Sequence, residues 1–219
     1  MLRKKVRFIV IDDHPISREG LVYLINNEKD FSVIAEASSA EEALKIIEEK
    51  EVDFALVDIS LKGINGLQLI RRLKNGYPTL KILVVSMHDE ALYGERAIDT
   101  GADGYIMKEE TSNKVLKAIR HILAGNIYVS EAMEQRVMLG MMKKRQSLGS
   151  SIVDKLSDRE FEIFQLIAKG MGPALIAKKL NMSVKTVETH RNNIKIKFNL
   201  STAYELREFA INWFQNEYG

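Results

Sequence analysis

The first 125 residues alternate two patterns. Short apolar runs rich in β-branched residues occur at Val6–Ile11, Phe31–Ala37, Val52–Val57, Lys81–Val85 and Gly104–Met107. Between them, apolar residues recur at helical spacing, as in Leu21/Leu24/Ile25, Ala43/Leu44/Ile47, Leu67/Ile70/Leu73 and Val115/Leu116/Ile119/Leu123. Runs such as Ile9-Val10-Ile11 and Ile82-Leu83-Val84-Val85 do not alternate with polar residues, which is the pattern of strands buried on both faces. Five strands and five helices in strict alternation predict an α/β domain with a parallel sheet covered on both sides. Ser39 with Glu42 three residues on predicts a helix start there.

After Gly125 the alternation stops. Residues 126–152 read as a partly helical linker. Ala132, Met133, Val137 and Met141 can share one helical face, Lys143-Lys144-Arg145 breaks it, and Gln146–Ser151 is flexible in composition. From Lys155 the pattern is entirely helical, with helices predicted over about 158–168, 173–180, 184–198 and 202–214. Ser157 with Glu160 is a second capping-box start. The expected organisation is an α/β domain over 1–125, a linker over 126–152 and an all-α domain over 153–219.

Composition removes several classes of function. The 219 residues include no cysteine, which excludes disulfide scaffolds, thiolate zinc sites and thiol chemistry. His14, His88, His121 and His190 are too far apart in sequence to form a local ligand pair. No apolar run approaches the roughly 18–20 residues of a membrane span, and the apolar start is ended by Asp12-Asp13-His14-Pro15 without a cleavage site. A cytoplasmic protein is expected. The net charge of +2 is unevenly spread: residues 1–129 carry −2, residues 130–219 carry +4, and 155–199 alone carry +5. A polyanion partner is expected for the second half only.

The predicted strands end informatively. The first runs into Asp12-Asp13, the third into Asp58, the fourth into Ser86 and the fifth into Lys108. In a doubly wound sheet those ends frame the ligand crevice. Three carboxylates gathered there repel one another, each pair by on the order of 4 kcal/mol at an effective dielectric near 20. Such a cluster favours a hard divalent cation. Mg²⁺ fits, because it takes one or two carboxylates and keeps positions for water and phosphate oxygens. A carboxylate beside it can accept a phosphoryl group, with a lysine neutralising the developing charge. His14 reads as a helix-entry residue before Pro15, His88 and Asp89 as the start of the fourth helix, and His121 as part of a solvated face.

These residues, with Gly63 and Gly66 after Asp58 and Gly101-Ala102-Asp103-Gly104-Tyr105 before Lys108, resemble the receiver domain of bacterial response regulators over about residues 5–124. The resemblance implies a five-stranded doubly wound, flavodoxin-like sheet and phosphorylation at Asp58 within an acidic pocket of Asp12 and Asp13. It implies Mg²⁺ held by Asp13, Asp58 and the backbone carbonyl of Ser60, phosphoryl contacts from Ser86 and Lys108, and coupling of Ser86 to Tyr105. Many receivers carry proline where this chain has Lys62.

In the second half, a short turn at Asn181-Met182-Ser183 joins two predicted helices in a helix-turn-helix arrangement. At 100° per residue, Val187, His190, Ile194 and Phe198 form one stripe, expected to face inward. Lys185, Glu188, Thr189, Asn192 and Lys195 lie on roughly the opposite side, the polar face that a helix in a major groove would present. With Thr186, Ile194 and Lys197, this block resembles the LuxR-type helix-turn-helix of the NarL/FixJ class over about residues 155–215. By position, Glu188, Thr189 and Asn192 would face bases, with Lys185 and Thr186 near phosphates. His190 reads first as a packing residue. Gly172-Pro173-Ala174-Leu175 departs from the usual Ser-Asn-Lys-Glu of that class and removes a lysine that could meet phosphate. The last helix, with Tyr204, Leu206, Phe209, Ala210, Trp213 and Phe214, either closes the core or adds a dimer contact.

Together the two resemblances imply a DNA-binding transcriptional regulator, not an enzyme, activated when a sensor histidine kinase phosphorylates Asp58. Its expected partners are that kinase, double-stranded DNA and a second copy after phosphorylation, with no membrane. One alternative keeps DNA binding but drops control by phosphorylation. A flavin-binding protein on the same sheet order is disfavoured, because Asp12 and Asp13 stand where a phosphate cradle would be. A phosphatase acting on outside substrates would show turnover rather than stoichiometric labelling.

Overall fold

A computed structural model describes residues 5–61, 64–110, 112–135 and 152–218, which fall into two compact units within Met1–Lys143 and Lys144–Gly219. In the first, five strands, β1 (Val6–Ile11), β2 (Phe31–Ala37), β3 (Phe54–Val57), β4 (Lys81–Ser86) and β5 (Gly104–Met107), form one sheet in the order β2-β1-β3-β4-β5. Every pairing is parallel. The helices between and after them are α1 (Pro15–Asn26), α2 (Ala40–Glu49), α3 (Gly66–Gly76), α4 (Glu90–Thr100) and α5 (Ser112–Leu123).

The unbroken apolar runs follow from burial on both sides. Phe8, Val10, Phe54, Leu56, Leu83, Val85 and Ile106 pack with Ile25 of α1 and Val115, Ala118, Ile119 and Ile122 of α5. Their neighbours Ile9, Ile11, Ala55, Val57, Ile82 and Val84 point the other way and are equally buried. β3 starts at Phe54 rather than Val52, and just before it the Asp53 carboxylate accepts the backbone N–H and the guanidinium of Arg7. At α2, Ser39 accepts the Glu42 N–H, but the Glu42 carboxylate reaches back one residue further, to the Ser38 N–H.

Residues 126–135, which the sequence pattern assigned to the linker, pack on this unit. Tyr128 bridges to Gly104, its carbonyl accepting the Tyr105 N–H at 2.8 Å and its own N–H donating to Asp103 at 3.0 Å. Glu90 accepts the Ser130 N–H, and Met133 is buried. A Cβ at Gly104 would lie 2.7 Å from the Tyr128 carbonyl, so glycine is what permits this approach. Val137, Met141, Lys143–Arg145 and the Gln146–Ser151 stretch lie outside the described residues, as do Lys62 and Gly63.

In the second unit a short 3₁₀ turn (Ile152–Lys155) leads into α6 (Asp158–Ala168), α7 (Pro173–Lys179), α8 (Val184–Phe198) and α9 (Ala203–Tyr218). Ser157 and Glu160 form the full reciprocal capping box at α6. Val187 and Ile194 of α8 are fully buried, and Phe198 packs against Phe164 and Phe209. From α9, Leu206 and Ala210 are buried and Trp213 stacks near Phe161 and Phe164, so most of its apolar side closes this core. Tyr204, by contrast, is exposed. Asn199 ends α8 with φ +54°, a left-handed position that asparagine tolerates.

Candidate functional site

The parallel sheet delivers its polar residues to one place. Asp12 and Asp13 follow β1, Asp58 follows β3, Ser86 ends β4 and Lys108 follows β5. β1 and β3 are paired neighbours, and the chain leaves them toward opposite edges of the sheet, to β2 and to β4, so the crevice opens at this switch point. Lys108 Nζ lies 2.7 Å from Asp12 Oδ2 and 2.8 Å from Asp58 Oδ2. Both carboxylates are buried, at 1% and 2% exposure. Burial pushes the Lys108 ammonium down, but its bonds to Asp12 and Asp58 outweigh that and hold it above its ordinary pKa.

The surrounding polar groups complete the pocket. Asp12 also accepts the His14 N–H at 2.9 Å and the Ser17 hydroxyl at 2.6 Å. Ser60 donates its N–H to Asp58 Oδ1 at 3.2 Å, and its hydroxyl lies 3.0 Å from His88 Nε2. Gly66 lies close against Asp58: a Cβ there would collide with the Asp58 carbonyl oxygen. Ser86 is fully buried and accepts the His88 N–H at 3.3 Å. Tyr105 is buried, and its hydroxyl donates to the His88 carbonyl at 2.8 Å. Burial raises the Tyr105 phenol well above its usual range, a hydrogen bond with Ser86 offsetting part of that. Ser86, His88 and Tyr105 thus form one connected group.

Ligand atoms of Asp12, Asp13, His14 and Asp58 all lie within 4.8 Å of one another. This cluster could hold a metal ion. Asp13 Oδ1 is buried and accepts no hydrogen bond among the described residues, although His14 Nδ1 lies 2.8 Å from it. The sequence pattern missed three members. Ser17 returns to Asp12 because the first turn of α1 brings it there. His14 is the helix-entry residue before Pro15 and also joins the cluster. His88 precedes α4, which Asp89 caps, and its ring stacks 4.4 Å from that of Tyr93. His121 is exposed, at the edge of Tyr128.

In the second unit the residues anticipated for DNA contact share an accessible face of α8. Lys185, Thr186, Thr189 and Asn192 are exposed, and Glu188 and Lys195 are partly exposed. Ser183 caps the helix by accepting the Thr186 N–H at 3.0 Å. Glu188 pairs with Arg191 at 2.8 Å, which offsets its repulsion of a polyanion. His190 is half-buried and burial lowers its pKa, as for a packing residue. Lys197 does not extend the polar face. It reaches Glu160 and the Lys155 carbonyl and ties α8 to the start of α6. Burial pushes Glu160 up, but Lys197 and Ser157 bring its carboxyl below the usual value.

Comparison with known proteins agrees with both halves. Residues 8–120 match the response regulator receiver domain, and residues 154–210 match the luxR family of bacterial regulatory proteins. The oxygen regulatory protein NreC of Staphylococcus epidermidis is 34% identical over 211 residues, covering 94% of this chain and 97% of that protein. The transcriptional activator protein ExaE of Pseudomonas putida is 34% identical, covering 93% and 94%. A LuxR-family two-component response regulator from Aurantimonas sp. SI85-9A1 is 31% identical, with a TM-score of 0.59, over 64% of this chain and 99% of that one. The chain belongs to the response regulator family. Its receiver domain is joined to a LuxR-type DNA-binding domain, the organisation of a two-component transcriptional regulator, and control by phosphorylation is the standard mode of such proteins. No helix among the described residues is long and apolar enough to cross a membrane.

Proposed function

We propose that Asp58 is the phosphoacceptor of this regulator and that its modification governs binding of double-stranded DNA by α8. The observation that carries this reading is the lysine bridge: Lys108 holds Asp58 and Asp12 from one side, with Asp13 beside them. An Asp58 carboxylate oxygen attacks the phosphorus of a phosphohistidine on a sensor histidine kinase. The new O–P bond forms as the P–N bond breaks, and the imidazole leaves with the electron pair. Lys108 and the buried Ser86 hydroxyl then serve the phosphoryl oxygens. Tyr105, bonded to the His88 carbonyl, follows Ser86. Asp13, Asp58 and the Ser60 carbonyl would hold Mg²⁺, which neutralises phosphoryl charge when bound. The protein works in the cytoplasm as a homodimer when phosphorylated, and it turns over no outside substrate.

Lys185 and Thr186 meet phosphates, while Glu188, Thr189, Asn192 and Lys195 line the groove-facing side. Incubation with acetyl phosphate and Mg²⁺ should add one phosphoryl group to the wild-type chain and none to Asp58→Ala, as read by intact mass. Equal labelling of both would remove Asp58 from this role.

α7 starts at Pro173 with Gly172 as its cap, which offers no side-chain bond. Ala174 is exposed there and carries no charge to phosphate. Ala174→Lys should steepen the dependence of log binding constant on log salt by about 0.9. An unchanged slope in a salt titration would show that α7 does not approach the backbone.

A further inference from the structure

His14 is placed to do more than start a helix. Its backbone N–H is fixed on Asp12, and its ring is about two-thirds exposed. Yet its Nδ1 lies 2.8 Å from Asp13 Oδ1, 3.4 Å from Asp12 Oδ1 and 3.9 Å from Asp58 Oδ2. Asp13 is nine-tenths buried, and its Oδ1 accepts no hydrogen bond among the described residues. The 2.8 Å approach of His14 Nδ1 makes no hydrogen bond with it. The two atoms lie side by side, as two ligands of one ion do. On an octahedral ion with bonds of about 2.1 Å, neighbouring ligands are about 3.0 Å apart and opposite ones about 4.2 Å. The 2.8 Å to Asp13 is close to the neighbouring-ligand value, and 3.4 Å to Asp12 and 3.9 Å to Asp58 lie between the two values.

We infer that His14 Nδ1 is a further ligand of the divalent ion in this pocket, and that it biases the site toward transition ions over Mg²⁺. The inference rests on the reading that the acidic cluster binds a divalent cation at all. Carboxylate oxygens alone suit Mg²⁺, which shows little preference for nitrogen. An imidazole adds a donor that Co²⁺, Ni²⁺ and Zn²⁺ accept readily. Nδ1 would supply its lone pair while Nε2, on the outer side of the ring, keeps the proton.

Calorimetric titration of the full chain with Co²⁺ and with Mg²⁺ tests this, on wild type, His14→Ala, Asp13→Asn and, as a control, His121→Ala. His14→Ala should weaken Co²⁺ binding by about tenfold or more while Mg²⁺ affinity changes by less than about twofold. His121→Ala should change neither, and bound Co²⁺ should shift the His14 ring resonances. If Asp13→Asn weakens both ions but His14→Ala leaves their ratio unchanged, the role of His14 is overturned and the divalent-ion reading stands. Equal weakening of both ions by His14→Ala also overturns the bias. If wild type binds neither ion, the divalent-ion reading itself fails, and this inference with it.

Discussion

Lys108→Ala is expected to cost the first unit about 3–5 kcal/mol and to abolish phosphoryl uptake. Removing one partner of a buried ion pair leaves the other charge uncompensated, which is the source of that magnitude. Here it leaves two, since Asp12 and Asp58 are 1% and 2% exposed and share the same ammonium. Reducing the charge should restore part of the loss: the double variant Lys108→Ala/Asp12→Asn is expected to unfold at a higher denaturant concentration than Lys108→Ala alone. Neither variant should take up phosphate from acetyl phosphate. Because the folded-state pKa of Lys108 is raised, the bridge contributes fully below the lysine's ordinary value of 10.5 and is lost only as pH rises through the folded value. The contrast should therefore be undiminished at neutral pH. A stability loss under about 1 kcal/mol in a denaturant titration would mean that water or another group already screens the two carboxylates.

Phe164→Ala is expected to cost the second unit about 3–5 kcal/mol. Phe164 is fully buried and sits 5.5 Å from Phe198, 6.0 Å from Phe209 and 5.7 Å from Trp213. It therefore joins α6 to both α8 and α9. Without it, α8 loses the support that fixes its outward face, and DNA affinity should fall with the folded fraction. Trp213 is the single tryptophan of the chain and stands against this residue, so its fluorescence reports the second unit's unfolding. A midpoint within about 1 kcal/mol of wild type would mean that the core collapses onto the space vacated.

The parts of this architecture set by local pattern were legible in the sequence. Short apolar runs without alternation read as strands covered on both faces, as at Ile9–Ile11 and Ile82–Val85, and β1, β2 and β5 fall where the apolar segments predicted them. The inward stripe of α8 followed from helical spacing alone, and Val187 and Ile194 are both fully buried. The meeting of Asp12, Asp58 and Lys108 was legible because a parallel sheet sends the C-terminal ends of its strands to one edge. What stayed hidden depends on tertiary approach. Nothing local distinguishes Tyr128 and Met133 from linker residues until Gly104 makes room for the Tyr128 carbonyl. Lys197 was legible only as part of the motif block, and what its long side chain does, reaching Glu160 far away in sequence, was not. His14 and Ser17 enter the pocket through the geometry of one helical turn after Pro15, which apolar spacing does not report.

Communication between residue 58 and α8 is the central claim, and that link can be measured directly. Affinity for a cognate DNA duplex should be determined for wild type and Asp58→Ala, each before and after treatment with acetyl phosphate and Mg²⁺. Wild type is expected to gain about tenfold, within the usual range of allosteric coupling, and Asp58→Ala to gain nothing. An equal gain in both proteins, or none in a wild-type chain fully labelled at Asp58, would contradict it.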